Sequence, residues 1–447
     1  MTAAPVPAPA TPMTYRQVLT TRNVPQLLLS ASLSRLASEM LLFVVVLYVL
    51  ARFRSPVLAG LSGFFLTLPG FLVSPMAGAL LDRVGAARAV ILDNLVSAVL
   101  IGLVAVASAG GRLTPAVLLT LLGLLSLTSP LSAGGIRTLF PRFVPDDAYD
   151  RANALDLSTY SVIEVVGPLA GGAVIALIGP DPALVLVAAM YVLAALSLLL
   201  LRGSAAEPPR AERRHLLREA WEGVTYLVRN ATLRGLAVSY SCYQVTFGIL
   251  VVAVPVSVAQ RVDGAGHTEQ YAGALWSLVG LCGAAGALTA GRLLRAGRER
   301  LLLIVTTALS AFAIYPLGAI AMLATLAVGL ALFGLLEGAL NVGVLSLRQR
   351  RTDPTRLGRV MTVSISINLI GFPVGTALGG LLVERSGSLA YAVAAGFALL
   401  AALWGALVIP REPAGTPPVR AGRPRRRRWP GAGSPTPGRT RRRPGGR

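Results

Sequence analysis

Four ionisable side chains stand inside long apolar runs of this 447-residue sequence: Arg35, Glu39, Glu164 and Glu337. A charge in an apolar run is expensive unless it is paired or lines a watery cavity, so such residues point to ion or proton pathways. Arg35 and Glu39 are four residues apart and share one helical face, a spacing that predicts an intrahelical ion pair. Glu164 lies about a turn before Gly167 and Pro168, and Glu337 about a turn before Asn341. Apolar surroundings favour the neutral form of a carboxyl group. Glu39, Glu164, Glu337 and Arg35 are therefore the candidates for proton coupling. The competing reading makes Arg35 and Glu39 a buried packing pair and Glu337 a polar anchor to a neighbouring helix. Asp93 and Asp156 lie nearer the ends of their runs and are expected to cap or pair there.

A second set could line a cavity: the polar Gln244, Asn341 and Asn368, with the aromatic Tyr240, Tyr243, Phe247 and Trp276. Such a cavity, mostly apolar with few polar groups, suits an amphipathic organic molecule, cations included. Sugars and amino acids need more hydrogen-bond partners. Other chemistries have little material. Cys242 and Cys282 fall in apolar runs and read as packed free thiols, while His215 and His267 are far apart, so no metal site is expected. No phosphate-binding loop of the G-x-x-x-x-G-K-[ST] type can exist, because the chain has no Lys. Neither a cofactor nor an enzymatic reaction is expected.

The elements that must hold these residues follow from composition. Mean hydropathy is +0.67 and 14% of residues are charged, against about 25% in soluble proteins. Apolar windows of the length a bilayer requires recur at about 25–50, 57–81, 89–109, 114–137, 153–178 and 182–201. A second set follows at 233–258, 271–294, 301–320, 323–346, 359–383 and 388–409. The fold class is thus an all-α membrane protein with twelve transmembrane helices, six on each side of a linker at 202–232. That linker carries a possible amphipathic surface helix, Glu212 to Asn230. Residues 1–24 form an N-terminal segment, disordered to about residue 14 and without the pattern of a cleaved signal peptide. The halves are 25–201 and 233–410, and 411–447 is an Arg/Pro-rich disordered tail.

All 41 basic residues are Arg, and twelve of them fall in the tail. Arg counts over the short loops alternate. Two, three, six, four and five occur at 82–88, 137–151, 202–232, 292–300 and 347–359. Two, one, none, one and one occur at 51–56, 110–113, 179–181, 259–270 and 384–387. The positive-inside rule then puts both termini in the cytoplasm of a multi-pass protein of the plasma (inner) membrane. The tail is expected to meet anionic lipid headgroups rather than nucleic acid. A monomer is expected.

The halves also repeat. A shift of 208 lays Arg151 on Arg359, Arg142 on Arg350, Gly78 on Gly286, Gly167 on Gly375, and Gly171 and Gly172 on Gly379 and Gly380. A shift of 207 lays Arg22 and Asn23 on Arg229 and Asn230. Two parallel six-helix halves fit this offset.

Two motifs stand out. Gly78, Asp82, Arg83, Gly85 and Arg88 form a tight charged turn between the second and third spans. Asp82 there could hold a conformational latch by pairing with a neighbouring helix, or could belong to a plain solvated turn. GPLAGG, Gly167–Gly172, combines glycines that permit close crossing with a helix-bending proline, Pro168. The first motif resembles the G-x-x-x-D-R-x-G-[RK]-[RK] loop of the major facilitator superfamily, with Ala86 and Ala87 in place of the paired basic residues. The second half keeps Gly286 but has Ala290 at the acidic position. The second motif is similar to the helix-5 signature of the family's proton-coupled exporters, with Ile163 at one glycine position. RTLFPRFVPDD from Arg137, RANAL from Arg151, LRQRRTDP from Leu347, GRVM from Gly358 and PVGTALGG from Pro373 resemble the siderophore, macrolide and multidrug exporters of the family. The resemblance implies a two-half secondary transporter, a proton antiporter working in efflux on a hydrophobic drug or natural product. Its alternatives are a siderophore exporter and a lysophospholipid flippase. A receptor or scaffold without transport is a remote alternative.

Overall fold

The computed structural model describes residues 14–144, 146–201, 224–262, 267–294, 297–320, 322–352, 364 and 367–411. The Ala/Pro-rich start, most of the linker helix and nearly all of the Arg-rich tail lie outside the described residues. Twelve long helices dominate: α1 (Val24–Phe53), α2 (Pro56–Val84), α3 (Ala86–Ala109), α4 (Pro115–Phe143), α5 (Asp146–Ile178), α6 (Pro180–Leu199), α7 (Ala231–Ala259), α8 (His267–Leu293), α9 (Glu299–Ile314), α10 (Leu323–Arg350), α11 (Gly371–Arg385) and α12 (Gly387–Val408). No strand occurs among the described residues. With the 3₁₀ turn Tyr315–Gly318 added to α9, and the chain from Ile367 added to α11, all twelve are long and apolar enough to cross a membrane.

Local chemistry explains the ends. Pro25, Pro56, Pro115 and Pro180 open four helices, where a missing N–H costs nothing. Ser55 caps α2 by accepting from Leu58 N at 3.2 Å. Asn230 caps α7 by accepting from Thr232 N and Leu233 N at 3.0 and 3.2 Å. Between α2 and α3 the chain turns on Gly85 alone, at φ +88, a conformation a side chain would resist. Several helices outrun their apolar windows: α5 begins at Asp146 and α4 reaches Phe143. Charged residues end an apolar run without ending the backbone ladder. Pro316, lacking an N–H, ends α9 early and tightens the chain into the 3₁₀ turn. A short helix, Tyr15–Thr20, was not expected; Thr14 and Gln17 form its capping box and Val18 is buried beneath it.

The same packing pattern occurs twice. α1 packs on α5 and α6, α2 on α4, and α3 on α4 and α6. Six helices later, α7 packs on α11 and α12, α8 on α10, and α9 on α10 and α12. One hydrogen bond repeats with the pattern. Ser30 Oγ of α1 donates to Ala194 O of α6 at 2.9 Å, and Ser239 Oγ of α7 donates to Ala401 O of α12 at 2.8 Å. The fold is two parallel six-helix halves. On α3, Leu92, Leu95, Val99, Leu103 and Val106 form one exposed apolar stripe, as a lipid-facing helix surface would. α7 is buried nearly all round, with Ile249–Val254 fully enclosed.

α1 begins and α12 ends on one face of the bundle, the terminal face. The halves meet along two seams, α2 against α11 and α5 against α8. Their closest contacts lie toward the opposite face. A Cβ on Gly60 would fall 3.0 Å from Gly380 Cα, and one on Gly380 would fall 3.0 Å from Val57 Cα. A Cβ on Gly172 would fall 3.2 Å from Gly273 Cα. Beside that contact Ser277 Oγ donates to Val165 O at 2.8 Å. Glycine lets these backbones touch.

Candidate functional site

The first half contributes an acidic cluster where α1 crosses α5. Gly167 makes the crossing possible: a Cβ there would fall 2.5 Å from Glu39 Cβ, and one on Gly171 would meet Phe43. Arg35 does not pair with Glu39 as its spacing suggests. Its two terminal nitrogens donate to the two oxygens of Asp156 at 2.6 and 3.0 Å. The bidentate geometry across two helices outcompetes a one-turn pairing, because the planar guanidinium matches a carboxylate edge-on. The Arg35 guanidinium also lies 5.3 Å from the ring centre of Tyr160. Glu39 is thereby left without an ion-pair partner among the described residues.

Asp156, Tyr160 and Glu164 follow one another at four-residue intervals along α5. Glu164, one turn beyond Tyr160, is exposed. It is within electrostatic reach of Glu39 and, from the second half, of Glu337. Two carboxylates from one half and one from the other thus gather electrostatically around Glu164. Such groups repel when ionised.

A turn further toward the opposite face stands a cluster of aromatic rings. Phe247 of α7 lies 5.2 Å from Trp276 of α8, 6.1 Å from Phe333 of α10 and 6.0 Å from Phe372 of α11, between ring centres. Phe43 of α1 meets Trp276 edge-on at 5.7 Å, so this cluster bridges the halves. Tyr243 is fully buried, stacked on Phe333 at 6.0 Å. Gln244 and Trp276 are also buried.

The other cavity candidates, Tyr240, Asn341 and Asn368, converge on one pocket in the terminal-face half of the second bundle. Val344, Leu345, Arg348 and Leu369 complete its lining. Tyr240 Oη donates to Asn341 Oδ1 at 2.7 Å. With its amide nitrogen donating to Ser364 O at 3.0 Å, Asn368 turns its oxygen onto a terminal nitrogen of Arg348. Arg348, Phe43, Phe333, Phe372 and Tyr160 are site residues that sequence reasoning passed over, whereas Asp156, expected to cap or pair, pairs with Arg35. Arg348 had a signal: with Glu337, Asn341 and Val344 it continues one helical face at intervals of four, three and four.

The latch motif is only partly visible. Gly78 and Asp82 have side-chain surroundings outside the described residues. Arg83 and Arg88 are exposed at the α2–α3 turn beside Gly85. In the helix-5 motif the glycines divide their contacts: Gly167 and Gly171 receive α1, and Gly172 receives α8, where Gly273 also sits close to Pro168. Asp93 is buried on α3, and Asp156 is engaged by Arg35.

Twelve spans in two pseudo-equivalent halves define a multi-pass membrane protein. The family model of the Major Facilitator Superfamily matches residues 27–265 and 236–440. This chain belongs to that superfamily of transporters. It is 45% identical over 395 residues to the uncharacterized MFS-type transporter y4rN of Sinorhizobium fredii, covering 88% of this chain and 96% of that one. It is 30% identical over 262 residues to the enterobactin exporter EntS of Escherichia coli, a match spanning 58% of this chain and 61% of that one. Among solved structures, the nucleoside transporter NupG superposes with a TM-score of 0.71 at 14% identity, covering 87% of this chain and all of that one. An inward-facing bacterial homologue of the iron transporter ferroportin gives 0.65 at 18% identity, over 88% and 99%. These structures share its fold.

Proposed function

We propose that this protein is a secondary active exporter that moves a hydrophobic or amphipathic small molecule out of the cell in exchange for protons. The observation that carries the reading is the set of three carboxylates, Glu39 and Glu164 from one half and Glu337 from the other, with Glu164 within electrostatic reach of both the others. A proton held there in one conformation and released in the other would link rocking of the halves to the proton gradient. The aromatic cluster next to Glu39, with Phe43, Phe247, Trp276, Phe333 and Phe372, favours an amphiphile. The terminal face, rich in Arg loops, is assigned to the cytoplasm. Seams tightest toward the opposite face fit a state that loads from inside. Export is supported by the exporter-like motifs and by the likeness to the Escherichia coli exporter. The same likeness favours a siderophore as a second substrate reading.

Purified protein in liposomes tests this. Uptake of dye-like amphiphiles is measured with and without an imposed pH gradient, for the wild type and for Glu39→Gln and Glu164→Gln. Gradient-driven transport lost by about tenfold or more in at least one variant is the expected result. Equal rates with and without the gradient would sink the proton-coupled reading.

A further inference from the structure

Arg348 is a cation built into a pocket that holds no anion among the described residues. It stands on the last turns of α10 and is 4% exposed, yet it lines the pocket shared with Tyr240, Asn341 and Asn368. Among the described residues the ion pairs are Arg35–Asp156 and Arg350–Glu299, and Arg348 has no carboxylate partner. One terminal nitrogen is held by Asn368, while its Nε is buried and makes no hydrogen bond. A buried guanidinium with an unused donor is costly, whereas the surface of α10 just beyond it carries Arg350, whose Nε lies 3.1 Å from Glu299. A helix end that needed only positive charge or packing would be served by an exposed Arg of that kind.

The rest of the pocket fits a ligand with an acidic head. Asn368 fixes the guanidinium. The carboxamide of Asn341, its oxygen engaged by Tyr240, retains its NH₂ donors. Val344, Leu345 and Leu369 supply an apolar wall. Cation, amide donors and apolar wall together form a receptor for a planar anionic group joined to an apolar body.

We propose that Arg348, with Asn341 and Asn368, is the subsite that recognises the acidic group, a carboxylate or phosphate monoester, of the amphipathic molecule this protein carries. The proposal deepens the transport reading and rests on it for the ligand's apolar part. It places the ligand's acid against the second half, at the end of the helix that carries Glu337.

Four probes of shared ring and different head group test it: 1-naphthoate, 1-naphthyl phosphate, 1-naphthylmethanol and 1-naphthylmethylamine. Binding to purified full-length protein in nanodiscs is measured by calorimetry at fixed pH and low salt. The wild type is expected to bind one or both acids about tenfold tighter than the alcohol, and the amine no better than the alcohol. The ratio between the two acids identifies which anion is read. Arg348→Gln is expected to remove the preference for acids while leaving alcohol binding unchanged, and Arg348→Lys to keep part of it. Equal affinity of the wild type for acids and alcohol, or no binding of either acid, overturns the subsite. So does a loss shared equally by every probe in both variants with an unchanged melting temperature. Binding is read without a gradient, so a failure of proton-driven transport in liposomes would count against the transport reading and leave the acid preference as measured.

Discussion

At the scale of single residues, the site is built by pairings that distance along the chain does not reveal. Arg35 is matched to Asp156, 121 positions away, and that choice leaves Glu39 without an ion-pair partner among the described residues. Removing either partner strands the other in an apolar setting, which costs about 3 kcal/mol once partial exposure is allowed for. Arg35→Ala and Asp156→Ala are each expected to lower the melting temperature of the detergent-solubilised protein. The exchange Arg35→Asp with Asp156→Arg should recover part of the loss. A melting temperature unchanged in both single variants would remove the pair from the account. Gly167 makes the complementary case of space. Gly167→Val puts two methyl groups where Glu39 already stands, and overpacking of this kind costs about 1–3 kcal/mol. Expression and thermal stability should fall together, while Gly396→Val on α12, where nothing lies near, should change little.

At the scale of helices, the seams decide which way the cleft opens. Gly60 meets Gly380 backbone to backbone, and the bulky side chain of Gly60→Leu would hold α2 off α11 toward the opposite face. In a background of Cys242→Ala and Cys282→Ala, a Val57→Cys probe should label slowly with a bulky maleimide, and faster once Gly60→Leu is added. Equal labelling rates would show that the seam does not gate access. Most of this architecture was legible beforehand. Apolar windows locate eleven of the helices to within several residues, since a bilayer leaves few choices for a continuous apolar segment; the window at 359–383 opens outside the described residues, and its helix is described from Gly371. The offset near 208 anticipates paired bonds such as those of Ser30 and Ser239. What hydropathy could not supply was facing. Tyr243 and Trp276 read as cavity residues, and the structure buries them in aromatic packing. Arg348 was counted among loop charges although the helix carries it into a pocket. A window average is blind to direction around the helix axis, and only the 337–341–344–348 spacing held that information.

At the scale of the whole molecule, the halves share a scaffold and differ in chemistry. The acids at 39 and 164 have Phe247 and Phe372 at the positions 208 residues on, so protonatable groups in one half answer to aromatic rings in the other. The Arg-rich end is separable from this division. Truncation after Arg411 removes eleven Arg and Glu412, and is expected to leave gradient-driven transport in neutral liposomes within about twofold of the full chain. Binding to anionic vesicles should become less salt-sensitive. A large transport defect in neutral liposomes would give the tail a role beyond lipid contact. The seams carry one more consequence. Their close contacts, as described, are made by glycine backbones and one serine hydroxyl belonging to α2, α5, α8 and α11. Two separately translated fragments, 1–201 and 224–447, therefore retain every seam contact described. Co-expressed in one membrane, they should reassemble as a complementing pair, recovered by a tag on either fragment.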